Sequence, residues 1–331
     1  MADDGRQHRR QSSDFGEIVN FQTEMSVSTK KWDSIFHNWE NPEKCSNRKK
    51  SLGCEVCTEL EQRGFVERNG KIHSVLVGII GDVHSDLDKV KEFSKKHKTR
   101  CNITVGDLGI YANFHSAQAD KKSFLKNIIN VTKYITEGEA GNFDPLSTPL
   151  MVVKGNHDDY ENMMAPAFVN RNIHYAELEG CGNILSIGNL NILVFGGIYS
   201  PVKSLHSTKQ LQGRDRRFFT KEDLTKVLEL AKDTVIDIVI THEAMSGVLP
   251  APTIFPVDEG VKFLNTIVDA VQPALYIHGH HHKNYNAKYK NTDVMGLGNF
   301  SRNPNSYIII NTLTREIIAD GRQILTSDKK V

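Results

Sequence analysis

Apolar positions along this chain fall into two rhythms. From about residue 72, short β-branched runs alternate with stretches in which apolar residues recur every three or four places. The runs are SVLVGII (74–80), CNITV (101–105), LMVVK (150–154), NILVF (191–195), IDIVIT (236–241), ALYIH (274–278) and SYIIIN (306–311). Runs of that length and composition predict buried strands. Between them, Leu87, Val90 and Phe93 mark one amphipathic helix, and Phe124, Ile128, Val131 and Ile135 a second. Leu224, Val227, Leu228 and Ala231 mark a third; Val261, Leu264, Val268 and Val271 mark a fourth, which Pro273 stops. Strands alternating with helices predict an α/β fold.

Residues 1–52 follow neither rhythm. They are polar with scattered aromatics, which predicts a flexible arm, partly docked near Trp32 and Trp39. Residues 53–73 read as a lead-in, and 74–325 as the folded domain. The start of the chain, MADDGRQHRRQ, has no apolar stretch of signal-peptide type, and no run reaches membrane-span length. Five cysteines, with no regular framework, predict a reduced, cytoplasmic protein. Cys45, Cys54 and Cys57 with His37 fit no zinc-site spacing and read as free thiols. A net charge of +1 gives no global attraction to nucleic acid or membrane. The fourteen histidines change the picture more, since imidazole is the commonest transition-metal ligand.

Histidines and carboxylates gather where the apolar runs end. GDVH follows the first run, with Asp82 and His84; GDLG follows the second, with Asp107; GNHD follows the third, with Asn156, His157 and Asp158. His242 follows IDIVIT. GHHH follows ALYIH, with His280, His281 and His282. The carboxyl edge of an α/β sheet is where ligands bind. Just past a strand end, residues i and i+2 point to one side, so Asp82 with His84, and His280 with His282, each form a clamp. One such block alone would read as a surface turn; five in order, each behind a strand, read as one site.

The order GDVH, GDLG, GNHD, H, GHHH resembles the calcineurin-like metallophosphoesterases over roughly residues 74–300. The resemblance implies a two-sheet β-sandwich flanked by helices, layered α/β/β/α. It implies that Asp82, His84, Asp107 and His282 hold one metal, and that Asp107 bridges to a second held also by Asn156, His242 and His280. It implies that His157 faces the phosphate, as acid or charge stabiliser. Asp158 either orients His157 or caps a helix over DDYENMM. His278 shares the parity of His280 and either stands behind the ligands or is a satisfied histidine of core or surface; His281 reads as a bystander.

Two carboxylates, four imidazoles and an amide oxygen suit Mn, Fe or Zn better than Ca or Mg. With two divalent ions the ligand set carries about +2, matched to a phosphate ester. Two metals about 4 Å apart can share a hydroxide and clamp phosphoryl oxygens for in-line attack.

The second block lacks the acid of GDxxD, and Ser85 stands where the serine/threonine protein phosphatases carry glycine, which argues against that branch. A segment at 200–223, SPVKSLHSTKQLQGRDRRFFTKED, carries Lys203, Lys209, Arg214, Arg216 and Arg217 against Asp215. It reads as a substrate loop for a second phosphate or a nucleic-acid backbone, with Arg214, Arg216 and Arg217 as contacts, or as a solvated lead into a helix capped by Thr220. The layout is also similar to lariat-debranching-type phosphodiesterases, which keeps a nuclease as an alternative. A non-catalytic module on the same fold would show eroded ligands, and none is eroded.

Overall fold

A computed structural model describes residues 66–68, 71–73, 76–111, 146–163, 172–177, 182–250, 261–312 and 314–322. The N-terminal arm, the group of Cys45, Cys54 and Cys57 with His37, and the helix expected around Ile128 lie outside the described residues. The lead-in contains a small hairpin, β1 (Val66–Arg68) against β2 (Lys71–His73).

All seven runs form strands: β3 (Leu76–Ile80), β4 (Cys101–Thr104), β5 (Leu150–Val152), β8 (Leu190–Phe195), β9 (Ile238–Thr241), β10 (Leu275–His278) and β13 (Tyr307–Asn311). The periodicity leaves out β6 (Ile173–Tyr175), β7 (Gly182–Ile187), β11 (Tyr285–Tyr289), β12 (Thr292–Gly296) and β14 (Ile317–Asp320). Three helices are described: α1 (Leu87–His97), α2 (Lys221–Ala231) and α3 (Lys262–Val271).

The strands make two mixed six-stranded sheets, β14-β13-β3-β4-β5-β6 and β11-β12-β10-β9-β8-β7. Strands β3 to β6 run parallel, as do β8, β9, β10 and β12; β7, β11, β13 and β14 join by antiparallel pairing. Register sets the carboxyl ends level: Ile80 pairs Thr104, Thr104 pairs Val152, and Thr241 pairs His278.

Strand parity separates two kinds of core. In the first sheet Ile80, Leu150 and Val152 join Val90 and Phe93 of α1. Phe93 lies over Gly78, where a Cβ would sit 2.5 Å from its ring. In the second sheet Leu193, Phe195, Val239 and Tyr276 join Val227 of α2 and Leu264, Ile267 and Val268 of α3. The alternate residues, Val77, Ile79, Ile103, Val105, Ile192, Val194, Ile240 and Ile277, are buried as well and face the other way, between the sheets. Each such side chain contributes roughly 1.5–3 kcal/mol by leaving water. The result is the α/β/β/α sandwich the resemblance implied.

Helix ends follow local chemistry. Thr220 caps α2 through a reciprocal pair: its hydroxyl accepts the Asp223 N–H at 3.1 Å, and Asp223 accepts the Thr220 N–H at 2.9 Å. Gln272 closes α3 in a left-handed conformation directly before Pro273. Among the described residues no helix is long and apolar enough to cross a membrane.

Candidate metal centre

Each block lies beyond the carboxyl end of a parallel strand. Asp82 and His84 leave β3, Asp107 leaves β4, and Asn156, His157 and Asp158 leave β5. These belong to the first sheet. His242 leaves β9, and His280 and His282 leave β10, of the second sheet. The backbone there is unusual. His84, Asp107, His280 and His282 all have positive φ, of 44°, 45°, 64° and 55°. Non-glycine residues adopt that region reluctantly, at a cost of order 1–3 kcal/mol each, and such strain gathers at functional sites.

Close approach explains two of the glycines. A Cβ on Gly279 would lie 2.2 Å from Asp82 Oδ1, and one on Gly106 would lie 2.1 Å from His242 Nδ1.

Ligand-type atoms of Asp82, His84, Asp107 and His282 lie within 4.8 Å of one another. His282 Nε2 is 3.1 Å from Asp82 Oδ2 and 3.0 Å from His84 Nε2. Asp107 directs its two oxygens apart: Oδ2 lies 3.8 Å from His84 Nε2, and Oδ1 lies 3.4 Å from His242 Nε2. His242 Nε2 is also 3.1 Å from Asn156 Oδ1, and the His280 ring lies 5.0 Å from the His242 ring. Four of the seven sequence-predicted ligands thus form one close group, and beyond the other oxygen of Asp107 lie His242 and Asn156, with the His280 ring next to His242.

The donor set fits metal ions. Asp82 Oδ1 is buried and has no hydrogen-bond partner, a costly state for a carboxylate oxygen unless a cation faces it. Burial alone would raise the Asp82 carboxyl; the His282 hydrogen bond and nearby His242 outweigh it and hold it well below the usual range. Asp107 behaves likewise, with His242 outweighing burial. Burial lowers the His84 and His280 imidazoles, which keeps them neutral and able to coordinate.

His157 sits beside this cluster. Its backbone N–H donates to Asp107 Oδ1 at 2.8 Å, Tyr111 donates to its carbonyl at 3.1 Å, and its ring lies 5.7 Å from that of His84. Asp158 caps no helix, because residues 156–163 form turns. Its carboxylate accepts the N–H groups of Gly155 at 2.6 Å and Gly109 at 3.2 Å, tying the GDLG turn to the GNHD turn. Burial, with the charge of Asp107, pushes the Asp158 carboxyl up to about 7.

His278 is a buried histidine behind the ligands. Nδ1 donates to the Gly279 carbonyl at 3.0 Å, and Nε2 pairs with the Tyr285 hydroxyl. The same peptide link gives its N–H, that of His280, to Asp82 Oδ2 at 3.1 Å. Burial, with nearby His281, lowers the His278 imidazole to about 3. His281 is no bystander: its Nε2 lies 3.1 Å from Glu243 Oε1. Glu243 is the residue that sequence reasoning missed. It directly follows His242, and an acid beside the lone histidine is the signal that could have found it. Burial would raise its carboxyl; His280 and His281 outweigh that and hold it at about 2.

The arginines of the 200–223 segment sit on a 3-10 turn, Gly213–Arg217. Both ends of the segment anchor near the site: Gly197 donates to the Lys154 carbonyl at 2.6 Å, and Ile198 to the Arg217 carbonyl at 2.8 Å. Lys203 pairs with Asp215. Arg216 lines a small, open recess of about 30 Å³ with Lys154, Tyr160 and Phe218. Tyr160 in turn donates to the Gly155 carbonyl at 2.7 Å, so the recess shares a wall with the GNHD turn. Arg217 places its guanidinium 4.8 Å from the Phe218 ring, and Arg214 is half-buried on the same turn.

A family model described as calcineurin-like phosphoesterase matches residues 75–284, which is 210 of the 331 residues. No curated protein matches the chain. Similar solved structures include a Danio rerio dimetal phosphatase, 12% identical, covering 73% of this chain and 93% of that one at a TM-score of 0.45. A Thermus thermophilus protein is 12% identical, covering 74% and 97% at 0.44. An archaeal phosphodiesterase is 12% identical, covering 73% and 96% at 0.35.

Proposed function

The chain belongs to the calcineurin-like phosphoesterases, hydrolases of phosphate esters, and from that premise we propose that it works with two divalent metals on an ester whose organic part lies against the Arg216 recess. One observation carries the two-metal reading. Asp107 turns one oxygen toward His84 and the other toward His242, as a residue shared by two sites must. Asp82, His84, Asp107 and His282 would hold the first metal, and Asp107, Asn156, His242 and His280 the second. Manganese, iron or zinc suits this donor set. When bound, such a pair supplies Lewis-acid polarisation of phosphoryl oxygens and activation of water.

The remaining chemistry belongs to the chain's own residues. His157, its main chain fixed by Asp107 and Tyr111, would hold a proton against the leaving oxygen or donate a hydrogen bond to developing charge. Asp158 and Tyr160 keep the turn that carries it in shape. Arg216 and Lys154 add positive charge to the recess, and Tyr160 and Phe218 add aromatic faces. Three arginines within one short turn favour a second reading, a nuclease or lariat-type phosphodiesterase on RNA.

A hydrolysis screen with added Mn tests both. Turnover of a nitrophenyl phosphate monoester, a diester, branched RNA and single-stranded RNA would be compared. No turnover of any ester by protein shown to carry metal would sink the proposal. Cleavage of branched or single-stranded RNA in preference to small esters would favour the second reading.

A further inference from the structure

The metal-facing histidines differ in which ring nitrogen is already engaged. His242 Nδ1 donates to the Val105 carbonyl at 3.0 Å, so Nε2 is left to face Asp107 and Asn156. His280 is turned the other way. Its Nε2 lies 3.7 Å from Oε2 of Glu243, beyond hydrogen-bond distance but close enough for the carboxylate's charge to favour a proton on that nitrogen. Glu243 is itself held in place. Its Oε1 accepts the Ala244 N–H at 3.2 Å and pairs with His281 Nε2 at 3.1 Å. The carboxylate thus spans two neighbouring histidines of the GHHH run from the loop of the lone histidine. It is buried at 7% exposure, so its charge acts on those rings with little screening by solvent.

We infer that Glu243 is a positioning residue for the second metal: its carboxylate holds His280 by Nε2, so that Nδ1 is the nitrogen presented to the ion. This rests on the two-metal reading above. A carboxylate behind a ligating imidazole fixes the tautomer and raises the basicity of the ligand, and loss of such a partner costs 10–100-fold in metal affinity. His281 completes the arrangement by keeping the other carboxylate oxygen occupied, which stops Glu243 from rotating away.

The test uses the full chain, stripped of metal and titrated with Mn(II), with Zn(II)-loaded protein for long-range proton–nitrogen NMR of the histidine rings. Wild type should bind in two steps. Glu243→Ala should weaken one step by about 10–100-fold, the same step that Asn156→Ala weakens, and leave the other unchanged. Glu243→Gln should recover most of the loss, because its amide oxygen can still accept from Nε2. The ring of His280 should carry its proton on Nε2 and its zinc on Nδ1 in wild type, and should mix tautomers in Glu243→Ala. Zinc on Nε2 of His280 would overturn the inference, as would a second step indifferent to Glu243. Equal weakening of both steps, with a lower melting temperature, would reduce Glu243 to a structural role and overturn it too. A single step in wild type would instead overturn the two-metal reading. The NMR of wild type and the Gln variant decide the matter even if the Ala variant does not fold.

Discussion

His84 and His282 face each other, ring nitrogen to ring nitrogen, at 3.0 Å. They stand 198 residues apart in sequence and on different sheets. Such a contact needs a proton on one of the two facing nitrogens, and each ring meets a carboxylate oxygen as well, His84 that of Asp107 and His282 that of Asp82. This is a cage of donors that converge on a point.

Asp107→Asn should empty both halves of that cage. The substitution removes one of two ligand carboxylates, and the one shared by both groups. Metal content by elemental analysis should fall from two ions toward none, with activity. Two retained ions and full turnover would refute the shared-ligand assignment.

His157→Ala should separate binding from chemistry. Both ions should stay, since the backbone N–H that contacts Asp107 survives the substitution. The rate should fall by roughly 10²–10⁴. The loss should be smaller for nitrophenolate leaving groups, which need little protonation, than for alkyl or nucleoside ones. His280→Ala should lose metal and activity together with every leaving group. Metal loss in His157→Ala would make it a ligand; a uniform rate loss would leave only charge stabilisation.

Arg216→Ala should act on substrate capture. Arg216 lines the recess beside Lys154 and Tyr160. KM should rise with kcat nearly constant for esters with a large or second anionic group, and little should change for the smallest ester. A fall in kcat alone, across all substrates, would place Arg216 in the chemistry and not in the recess.

Glu177 should make stability depend on pH. Its Oε2 accepts the Lys154 N–H at 3.2 Å, and burial pushes its carboxyl up to about 7 from an ordinary 4.5. Between those values the folded chain keeps a proton that the unfolded chain gives up. Its contribution therefore favours folding below about 4.5, declines as pH rises through that interval, and stays unfavourable above about 7. Glu177→Gln should remove this slope and stabilise the protein at pH 8 by up to on the order of 3 kcal/mol relative to wild type. Melting curves of both proteins from pH 5 to 8 would check it; parallel curves would refute it.

The pattern of residues revealed the strands that are buried on both faces, because continuous runs such as SVLVGII and IDIVIT admit little else. It missed β6, β7, β11, β12 and β14, which are short or mix polar and apolar residues too weakly, as in YNAKY and TDVMG. The ligands were legible because each follows a strand and a glycine. Their supports were not. Tyr111 holds His157, Tyr160 holds Gly155, and Asp158 joins two turns 49 residues apart. Such pairings depend on tertiary register, which no local spacing encodes. The left-handed backbone at His84, Asp107, His280 and His282 was hidden for a related reason. Only the surrounding packing compels a histidine or aspartate into a conformation that sequence rules assign to glycine.

The division of the ligands between the two sheets has a consequence for the protein's durability. Asp82, His84, Asp107 and Asn156 hang from one sheet; His242, His280 and His282 hang from the other. Any ion that engages both sets also rivets the seam between the sheets. Folding is then linked to the free metal around it, and each tenfold fall in that concentration loosens the rivet by about 1.4 kcal/mol per site until the site empties. A cell short of metal would hold less of this protein folded as well as less of it active.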